Sequence, residues 1–294
     1  MIVGITTNFQ KKEIIPFLKE LIRKLISAEI SFVVSDSVLK SENNSEIDWK
    51  NIKLIKDEIL SQNCDVIISI GGDGTLLNTA FHARLTQTPL IGVNFGKLGF
   101  LAEYDTDRID EVITNLTKGN LIIEKRITLQ GKCLSEESDT FYAVNDIVID
   151  RGKYPKMIEI TIEVDNEYVS TFSADGIIIS TPTGSTGYSL STGGPIVNPR
   201  TQAITLSPIS PHTLTMRPLV ISSDQKVVIK AFSPYQNVQV ICDGQRVSYL
   251  KTSAVIEIVK SEYDLNLVHN IHKRYFEILR KKLYWGLDIR NNNN

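Results

Sequence analysis

Apolar residues in the first 120 positions alternate between short continuous runs and segments in which they recur every three or four residues. The runs MIVGIT, SFVVS, CDVIISI and PLIGVNF are typical of buried parallel strands. Two further segments have helical spacing, at Ile14, Ile15, Leu18, Leu21, Ile22 and Leu25 and at Ile109, Val112, Ile113 and Leu116. Strands that alternate with helices predict a doubly wound, Rossmann-like α/β domain over residues 1–120. We expect Asp105 or Thr106 to cap the second helix.

A different pattern begins near residue 121. Short segments rich in β-branched residues follow one another closely: KRITLQGKCL, TFYAVNDIVID, KMIEITIEV, EYVSTFS, DGIIIST, LVISS, KVVIKAF, VQVICD and SAVIEIVK. Turn-forming residues separate several of them, such as DNE at 165–167 and SPYQN at 233–237. This spacing predicts an all-β second domain over residues 121–268.

Residues 269–294 return to helical spacing. Their apolar stripe is flanked by lysines and arginines and consists of Ile271, Tyr275, Ile278, Leu279 and Leu283. Such a helix either docks its stripe on a domain or lies on a membrane surface, and we expect docking on the first domain. The final NNNN is expected to be a disordered tail.

The composition excludes several classes of protein. With 32 basic and 34 acidic residues, the chain has no excess of positive charge to bind nucleic acid. No apolar stretch approaches the roughly 18 residues that indicate a membrane span, and no signal peptide is apparent. The three cysteines are scattered and lack C-x-x-C spacing, which favours a reducing cytoplasm over a disulfide framework or a zinc site. The four histidines have no H-E-x-x-H spacing, so no metal ligand is assigned.

The sequence GGDGT at 71–75 follows the third strand and opens a helical segment. Glycines and free N–H groups at a helix start suit a phosphate, and Thr75 is a candidate cap. Asp73 would repel a triphosphate unless it serves a cation or accepts a proton from an attacking hydroxyl. A tight turn in which Asp73 is only a local cap is the alternative. The string is neither a Walker A loop nor G-x-G-x-x-G.

A second glycine-bearing segment, GVNFGKLGFLAE at 92–103, lies at the carboxyl end of the next strand. Ligands of open α/β sheets collect at that edge. Lys97 could meet a phosphate there, or could be a solvated loop lysine.

The stretch 173–197, SADGIIISTPTGSTGYSLSTGGPIV, threads hydroxyl residues among glycines and prolines. Such a run cannot pack a core, and it offers hydroxyls, N–H groups and the ring of Tyr188 to a ligand rich in oxygens. A long surface loop is the alternative. Asn145 and Asp146 are placed mid-strand, so one of them should point inward and need a partner. CDGQ at 242–245 is typical of a turn.

Taken in order, these pieces resemble the NAD kinase family. The resemblance rests on GGDGT, GKLGFL at 96–101, ND at 145–146, DGIIISTPTGSTGYSLSTGGPI at 175–196, PISPHTL at 208–214 and CDGQ. GGDGT alone is shared with diacylglycerol and sphingosine kinases, so the long T-P-T-G-S-T segment makes the match specific. The chain departs from the family at Gly187 and Ser210, where alanine and cysteine are usual.

The resemblance implies phosphorylation of the 2′-hydroxyl of the adenosine ribose of NAD, with ATP and a divalent metal such as Mg²⁺. It also implies a β-sandwich-like second domain, a last helix that returns to the first domain, and a homo-oligomer, either a dimer or a tetramer. It makes Asp73 the proton acceptor. The residues it implies for substrate binding are Gly72, Asp73, Gly74, Asn145, Asp146, Lys156, Ser173, Asp175, Thr186, Gly187, Tyr188, Ser189, Leu190, Ser191 and Gln245.

Two other functions remain open on sequence grounds. A lipid kinase would share the GGDGT loop but would leave residues 181–194 without a role and would need a membrane-binding surface. A non-catalytic dinucleotide sensor would need no acid at position 73.

Overall fold

The computed structural model describes residues 1–8, 14–40, 47–96, 99–137 and 140–285. It divides into two compact units. The first comprises residues 1–124 and the described residues from 266 onward, and the second comprises residues 125–265.

Strands and helices are numbered in chain order. The strands are β1 (Ile2–Thr7), β2 (Ser31–Ser35), β3 (Leu54–Ile55), β4 (Val66–Gly71), β5 (Leu90–Asn94), β6 (Tyr104–Asp105), β7 (Ile123–Arg126), β8 (Leu129–Cys133), β9 (Phe141–Ala143), β10 (Asp146–Asp150), β11 (Ile158–Val164), β12 (Glu167–Ala174), β13 (Gly176–Ser180), β14 (Ala203–Ile209), β15 (Leu219–Ser222), β16 (Val227–Phe232), β17 (Asn237–Cys242), β18 (Arg246–Lys251), β19 (Ala254–Lys260) and β20 (Leu265–Val268). The α-helices are α1 (Ile14–Ser27), α2 (Asp57–Leu60), α3 (Asp73–Ala83), α4 (Ile109–Lys118), α5 (Tyr188–Ser191) and α6 (Tyr275–Leu283).

The first unit contains a sheet in the order β3-β2-β1-β4-β5-β20-β7, with β6 also paired to β5. Pairs β1–β2, β1–β4, β4–β5 and β5–β20 are parallel. Buried residues of α1 and α4 pack with Ile91 and Val93 of β5 on one face. The alternate residue, Gly92, meets Leu76 of α3 on the other face. Helices therefore cover both faces, which confirms the predicted doubly wound α/β domain.

The second unit is a sandwich of two six-stranded sheets, in the orders β15-β14-β13-β10-β17-β18 and β12-β11-β16-β19-β8-β9. Its core draws on both sheets, with Ile147 and Ile177 from the first and Ile160 and Ile256 from the second. The β-branched segments bury one side of each strand in this core, as the alternating burial along β11 shows. The all-β prediction is confirmed.

The structure corrects two local expectations and does not test two others. Neither Asp105 nor Thr106 caps α4 with its side chain, because a short 3₁₀ turn at Thr106–Arg108 precedes the helix. Ile271 lies before α6 and its side chain is exposed, so it is not part of a docked stripe. The final NNNN and Lys97 lie outside the described residues.

Five strands were not predicted: the two-residue strands β3 and β6, and β14, β18 and β20. Strand β14 was missed because it contains Pro208, and a proline usually argues against an interior strand. Its register with β15 stops at Leu206, so Pro208 has only β13 beside it. No helix within the described residues combines the length and apolar composition required to cross a bilayer.

Candidate active site

The GGDGT turn joins β4 to α3 in the first unit. Helix α3 begins at Asp73, with Gly72 as the N-cap residue. Thr75 is therefore not the cap, because its own N–H already bonds to the Gly72 carbonyl at 3.0 Å. Its side chain fills the space beside Gly71, where a Cβ would lie 2.3 Å from Thr75 Oγ1.

The Asp73 carboxylate does not cap its own helix and instead binds the segment that follows β5. Oδ2 accepts a hydrogen bond from Phe100 N at 2.8 Å, and Oδ1 accepts from Leu101 N at 3.0 Å and Ala102 N at 3.3 Å. A Cβ on Gly99 would lie 2.0 Å from Oδ1, so only glycine permits this approach. The carboxylate therefore fixes residues 99–102, which we call the Asp73 loop.

These contacts leave part of the carboxylate available. A carboxylate offers about four lone-pair positions, two on each oxygen. The backbone bonds occupy both positions on Oδ1 and one on Oδ2. Within the part of the chain that the structure describes, one position on Oδ2 accepts no hydrogen bond.

The two glycines beside Asp73 leave the helix start accessible. A Cβ on Gly72 would meet no heavy atom within 4 Å, and Gly74 is exposed. The first turn of an α-helix carries the positive end of the helix dipole, which suits an anion. The positive end of α3 thus adjoins the Asp73 carboxylate.

In the second unit, Asn145 lies between β9 and β10 and not within a strand, contrary to expectation. Its carbonyl accepts a hydrogen bond from Thr181 N at 2.9 Å, and a Cβ on Gly184 would lie 2.2 Å from that carbonyl oxygen. The side-chain Oδ1 of Asn145 is buried and has no hydrogen-bond partner among the described residues. A buried acceptor without a partner is costly, so this atom suits a ligand's donor group.

The Asn145 turn is held by Asp243, which lies in the β17–β18 turn with φ of 54°. Its carboxylate accepts hydrogen bonds from Val144 N at 3.1 Å, Asn145 N at 2.7 Å and Asp146 N at 3.4 Å. Arg246 donates to it at 2.7 Å. Sequence reasoning assigned CDGQ a turn and, by resemblance, gave Gln245 a binding role, but it missed this role of Asp243 because the partners are 97–99 residues apart.

Asp146 is buried beside this carboxylate. Burial, and to a lesser extent the negative charge of Asp243, together raise the pKa of Asp146 to about 7. Near neutral pH Asp146 therefore exchanges between a neutral acid, which can donate a hydrogen bond, and a carboxylate, which can only accept one.

Gly187 lies next to both of these residues. The position of its Cβ would be 3.9 Å from Asp146 Oδ2 and 4.0 Å from Asn145 Nδ2. The structure thus brings together three of the predicted binding residues: Asn145, Asp146 and Gly187. We call them the Asn145 cluster.

The expectation that the stretch 173–197 cannot pack a core is wrong for its first part, since Ala174, Ile177 and Ile179 lie in the core of the second unit, and several residues of 181–194 are buried as well. Thr181 and Ser185 are fully buried and donate to carbonyl oxygens of Val144 and Pro182 at 2.7 and 2.6 Å. Ser189 is also fully buried, and its hydroxyl lies 2.9 Å from Ser207 Oγ. Local hydrogen bonds thus replace the apolar contacts of an ordinary core. Thr183 Oγ1 is buried without a partner and was not predicted as a site residue.

The remaining predicted residues occupy several positions in the second unit. Tyr188 and Ser191 are exposed, whereas Thr186 and Leu190 are half-buried. Asp175 pairs with Arg151 Nε at 2.6 Å. Lys156, Ser173 and Gln245 are exposed, before β11, in β12 and in the β17–β18 turn respectively.

Comparison with known proteins identifies relatives across the chain. Residues 3–121 match the family described as the ATP-NAD kinase N-terminal domain, and residues 144–270 match the ATP-NAD kinase C-terminal domain. The NAD kinase of Chlorobium phaeobacteroides is 38% identical over 284 residues, which is 96% of each chain. The NAD kinase of Flavobacterium johnsoniae is 33% identical over 99% of this chain and 100% of its own length.

Solved structures are similar as well. The yeast NADH kinase complexed with NADH has a TM-score of 0.90 at 26% identity, covering 99% of this chain and 89% of the other. The NAD kinase of Archaeoglobus fulgidus in complex with ATP has a TM-score of 0.77 at 26% identity, covering 97% and 99%.

Proposed function

The chain belongs to the ATP-NAD kinase family, and on that premise we propose that it transfers the terminal phosphate of ATP to the 2′-hydroxyl of the adenosine ribose of NAD. The products are NADP and ADP. The observation that carries the proposal is the presence in one chain of both family domains, each with its own candidate substrate residues.

The start of α3 supports binding of the donor nucleotide. A Cβ on Gly72 would meet no heavy atom within 4 Å and Gly74 is exposed, and the positive end of the α3 dipole favours phosphate oxygens there. In phosphoryl transfer, positioning and neutralisation of charge supply most of the catalysis. The helix start therefore holds the triphosphate beside Asp73.

Asp73 is proposed as the proton acceptor through the remaining lone-pair position of Oδ2. The ribose oxygen forms a bond to the γ-phosphorus, the bond from that phosphorus to the β–γ bridging oxygen breaks, and the hydroxyl proton passes to Asp73. Since the hydrogen bonds from the Asp73 loop orient the carboxylate, it needs no reorganisation during the step. The proton moves late, as the oxygen loses electron density to phosphorus.

The Asn145 cluster is proposed to bind the dinucleotide. Asn145 Oδ1 accepts a donor group of the ligand, and Asp146 contacts a hydroxyl or amine. The exposed ring of Tyr188 offers a stacking face. Family resemblance adds Asp175 and the exposed side chains of Lys156, Ser173, Thr186, Ser191 and Gln245 to this set, with Leu190 beside them. Ser189 contributes through its backbone, since Ser207 holds its hydroxyl.

The family implies a divalent metal, but the described residues contain no set of side chains that would coordinate it without the substrate. No group of three or more His, Cys, Asp and Glu side chains there could hold a metal ion. Mg²⁺ commonly keeps several waters and binds substrate phosphates with one or two carboxylates. The described residues fit a cation that arrives with the triphosphate and neutralises its charge, and no protein ligand is assigned.

We also propose that the protein is cytoplasmic and forms a homo-oligomer, a dimer or a tetramer. The three free cysteines, Cys64, Cys133 and Cys242, support a reducing compartment. The oligomer rests on family resemblance alone, and sedimentation analysis of the purified protein measures it.

The test of the function is an assay of the purified protein with MgATP and NAD. We expect NADP and ADP in equal amounts. A lipid kinase would form no NADP and would phosphorylate diacylglycerol or sphingosine in vesicles supplied in a parallel reaction. A sensor would bind NAD in calorimetry and convert none of it, so each alternative has its own readout.

A further inference from the structure

Glu103 directly follows the Asp73 loop. Its carboxylate is buried and contacts the C-terminal part of the chain at His269 and Asn270. Glu103 is 4% exposed. Its Oε2 lies 2.8 Å from His269 Nδ1 and accepts a hydrogen bond from Asn270 N, also at 2.8 Å. Burying a carboxylate is costly unless it is hydrogen-bonded, and here Asn270 N and His269 Nδ1 both lie within hydrogen-bond distance of it.

Further contacts join residues 103–111 to residues 269–273. Lys273 Nζ lies 2.9 Å from Asp105, and His272 Nε2 lies 3.8 Å from Glu111. The hydroxyl of Tyr104 donates to the His269 carbonyl at 3.5 Å. Acidic side chains at 103, 105 and 111 therefore face basic side chains at 269, 272 and 273. We call residues 269–273 the latch segment.

Glu103 is one residue away from the groups that bind Asp73. The preceding residue, Ala102, donates its N–H to Asp73 Oδ1. At the other end of the loop, Lys282 of α6 lies 4.3 Å from the centre of the Phe100 ring. The loop is thus held on one side by Asp73 and on the other by the C-terminal part of the chain.

We infer that Glu103, through its pair with the latch segment, is a positioning residue that sets the orientation of the Asp73 carboxylate for phosphoryl transfer. The inference rests on the proposed function, since it assigns Asp73 to the reacting hydroxyl. Loss of the Glu103 contacts frees residues 100–102, and Asp73 then loses the N–H groups that orient it. A shift of about 1 Å in a catalytic group can cost about 100-fold in rate.

Two substitutions separate this role from a purely structural one. Glu103→Gln keeps an oxygen acceptor for Asn270 N and the size of the side chain, whereas Glu103→Ala removes the acceptor. Leu25→Ala in α1 is the control, because it weakens the core of the same unit at a residue outside the loop and the latch segment. Steady-state kinetics, thermal melting and hydrogen exchange at amides 100–102 are measured for each variant.

We expect Glu103→Ala to lower kcat at least tenfold, with KM for NAD and for ATP within threefold of wild type. Amides of Phe100, Leu101 and Ala102 should exchange at least tenfold faster in this variant. Glu103→Gln should stay within threefold of wild type in all three measurements. In an Asp73→Asn background, Glu103→Ala should change kcat less than threefold, because the group that it positions is already lost.

Three results would overturn the inference: unchanged exchange at amides 100–102, unchanged kcat in Glu103→Ala, or an equal loss of kcat in Leu25→Ala at the same melting temperature. If Glu103→Ala does not fold, His269→Ala removes one of the two partners and should lower kcat at least threefold. Faster exchange in Glu103→Ala, combined with a wild type that forms no NADP, would reject the proposed function. It would still support the inference that the Glu103 contacts order residues 100–102.

Discussion

At the scale of single residues, the Asp73 carboxylate holds three backbone N–H groups and, in the proposed reaction, also receives a proton. Asp73→Asn should lower kcat by about 10²- to 10⁴-fold, the usual contribution of a general base. It should also reduce the free energy of unfolding by about 1–3 kcal/mol, since the amide places an NH₂ group against at least one N–H donor. Calorimetric binding of NAD should be retained. Near-normal turnover would show that Asp73 is not the base.

The raised pKa of Asp146 predicts that the free energy of unfolding depends on pH. Its pKa is about 7 in the folded protein, against an ordinary value of 3.8 that the unfolded chain retains. The folded state therefore holds the proton more tightly, and this stabilisation is complete below about pH 4 and is lost as the pH rises to about 7. Asp146→Asn should reduce the decrease in the free energy of unfolding with rising pH by roughly 1 kcal/mol or more, because one pKa unit corresponds to about 1.4 kcal/mol. Thermal melts from pH 5 to 8 without ligand measure it, and parallel curves for both proteins would contradict the assignment.

At the scale of elements, the close approach of the β4–α3 turn to the Asp73 loop depends on Gly99. Gly99→Ala would place a Cβ 2.0 Å from Asp73 Oδ1, so the loop or the carboxylate must move. We expect kcat to fall by about 100-fold. Gly119→Ala is the control, because it costs about 1 kcal/mol at a left-handed helix C-cap with open space around it. Equal loss of kcat in both variants would mean that the effect is general destabilisation.

The limits of sequence reasoning also appear at this scale. Runs such as CDVIISI and the helical spacing of α1 are local, and each produced the predicted element. The hydrogen bonds that Phe100 N donates to Asp73 and that Asn145 N donates to Asp243 join residues 27 and 98 positions apart. Polar atoms that bond at such distances leave no periodic pattern. The order of the motifs along the chain therefore located GGDGT and CDGQ. The hydrogen-bond partners of their aspartates could be identified only from the fold.

At the scale of the whole molecule, the two units differ in how the chain builds them. The second unit is continuous, from 125 to 265, and has its own core. The first needs its C-terminal part, because β20 lies between β5 and β7 and contributes Val268 to the core. Order in the first unit should therefore depend on residues after 265, whereas order in the second should not.

A chain that ends at Asp264 tests this dependence. It lacks β20, α6 and the latch segment, so Leu90 of β5 loses its partner Leu267, β7 loses the strand beside it, and the Asp73 loop loses Glu103's partners. We expect limited proteolysis to degrade residues 1–124 and leave a resistant fragment near 125–264 with a β-type circular dichroism spectrum. The segment 125–265 expressed alone is the matched control and should unfold cooperatively. Equal resistance of residues 1–124 in the shortened and full-length chains would show that the first unit folds without its C-terminal strand.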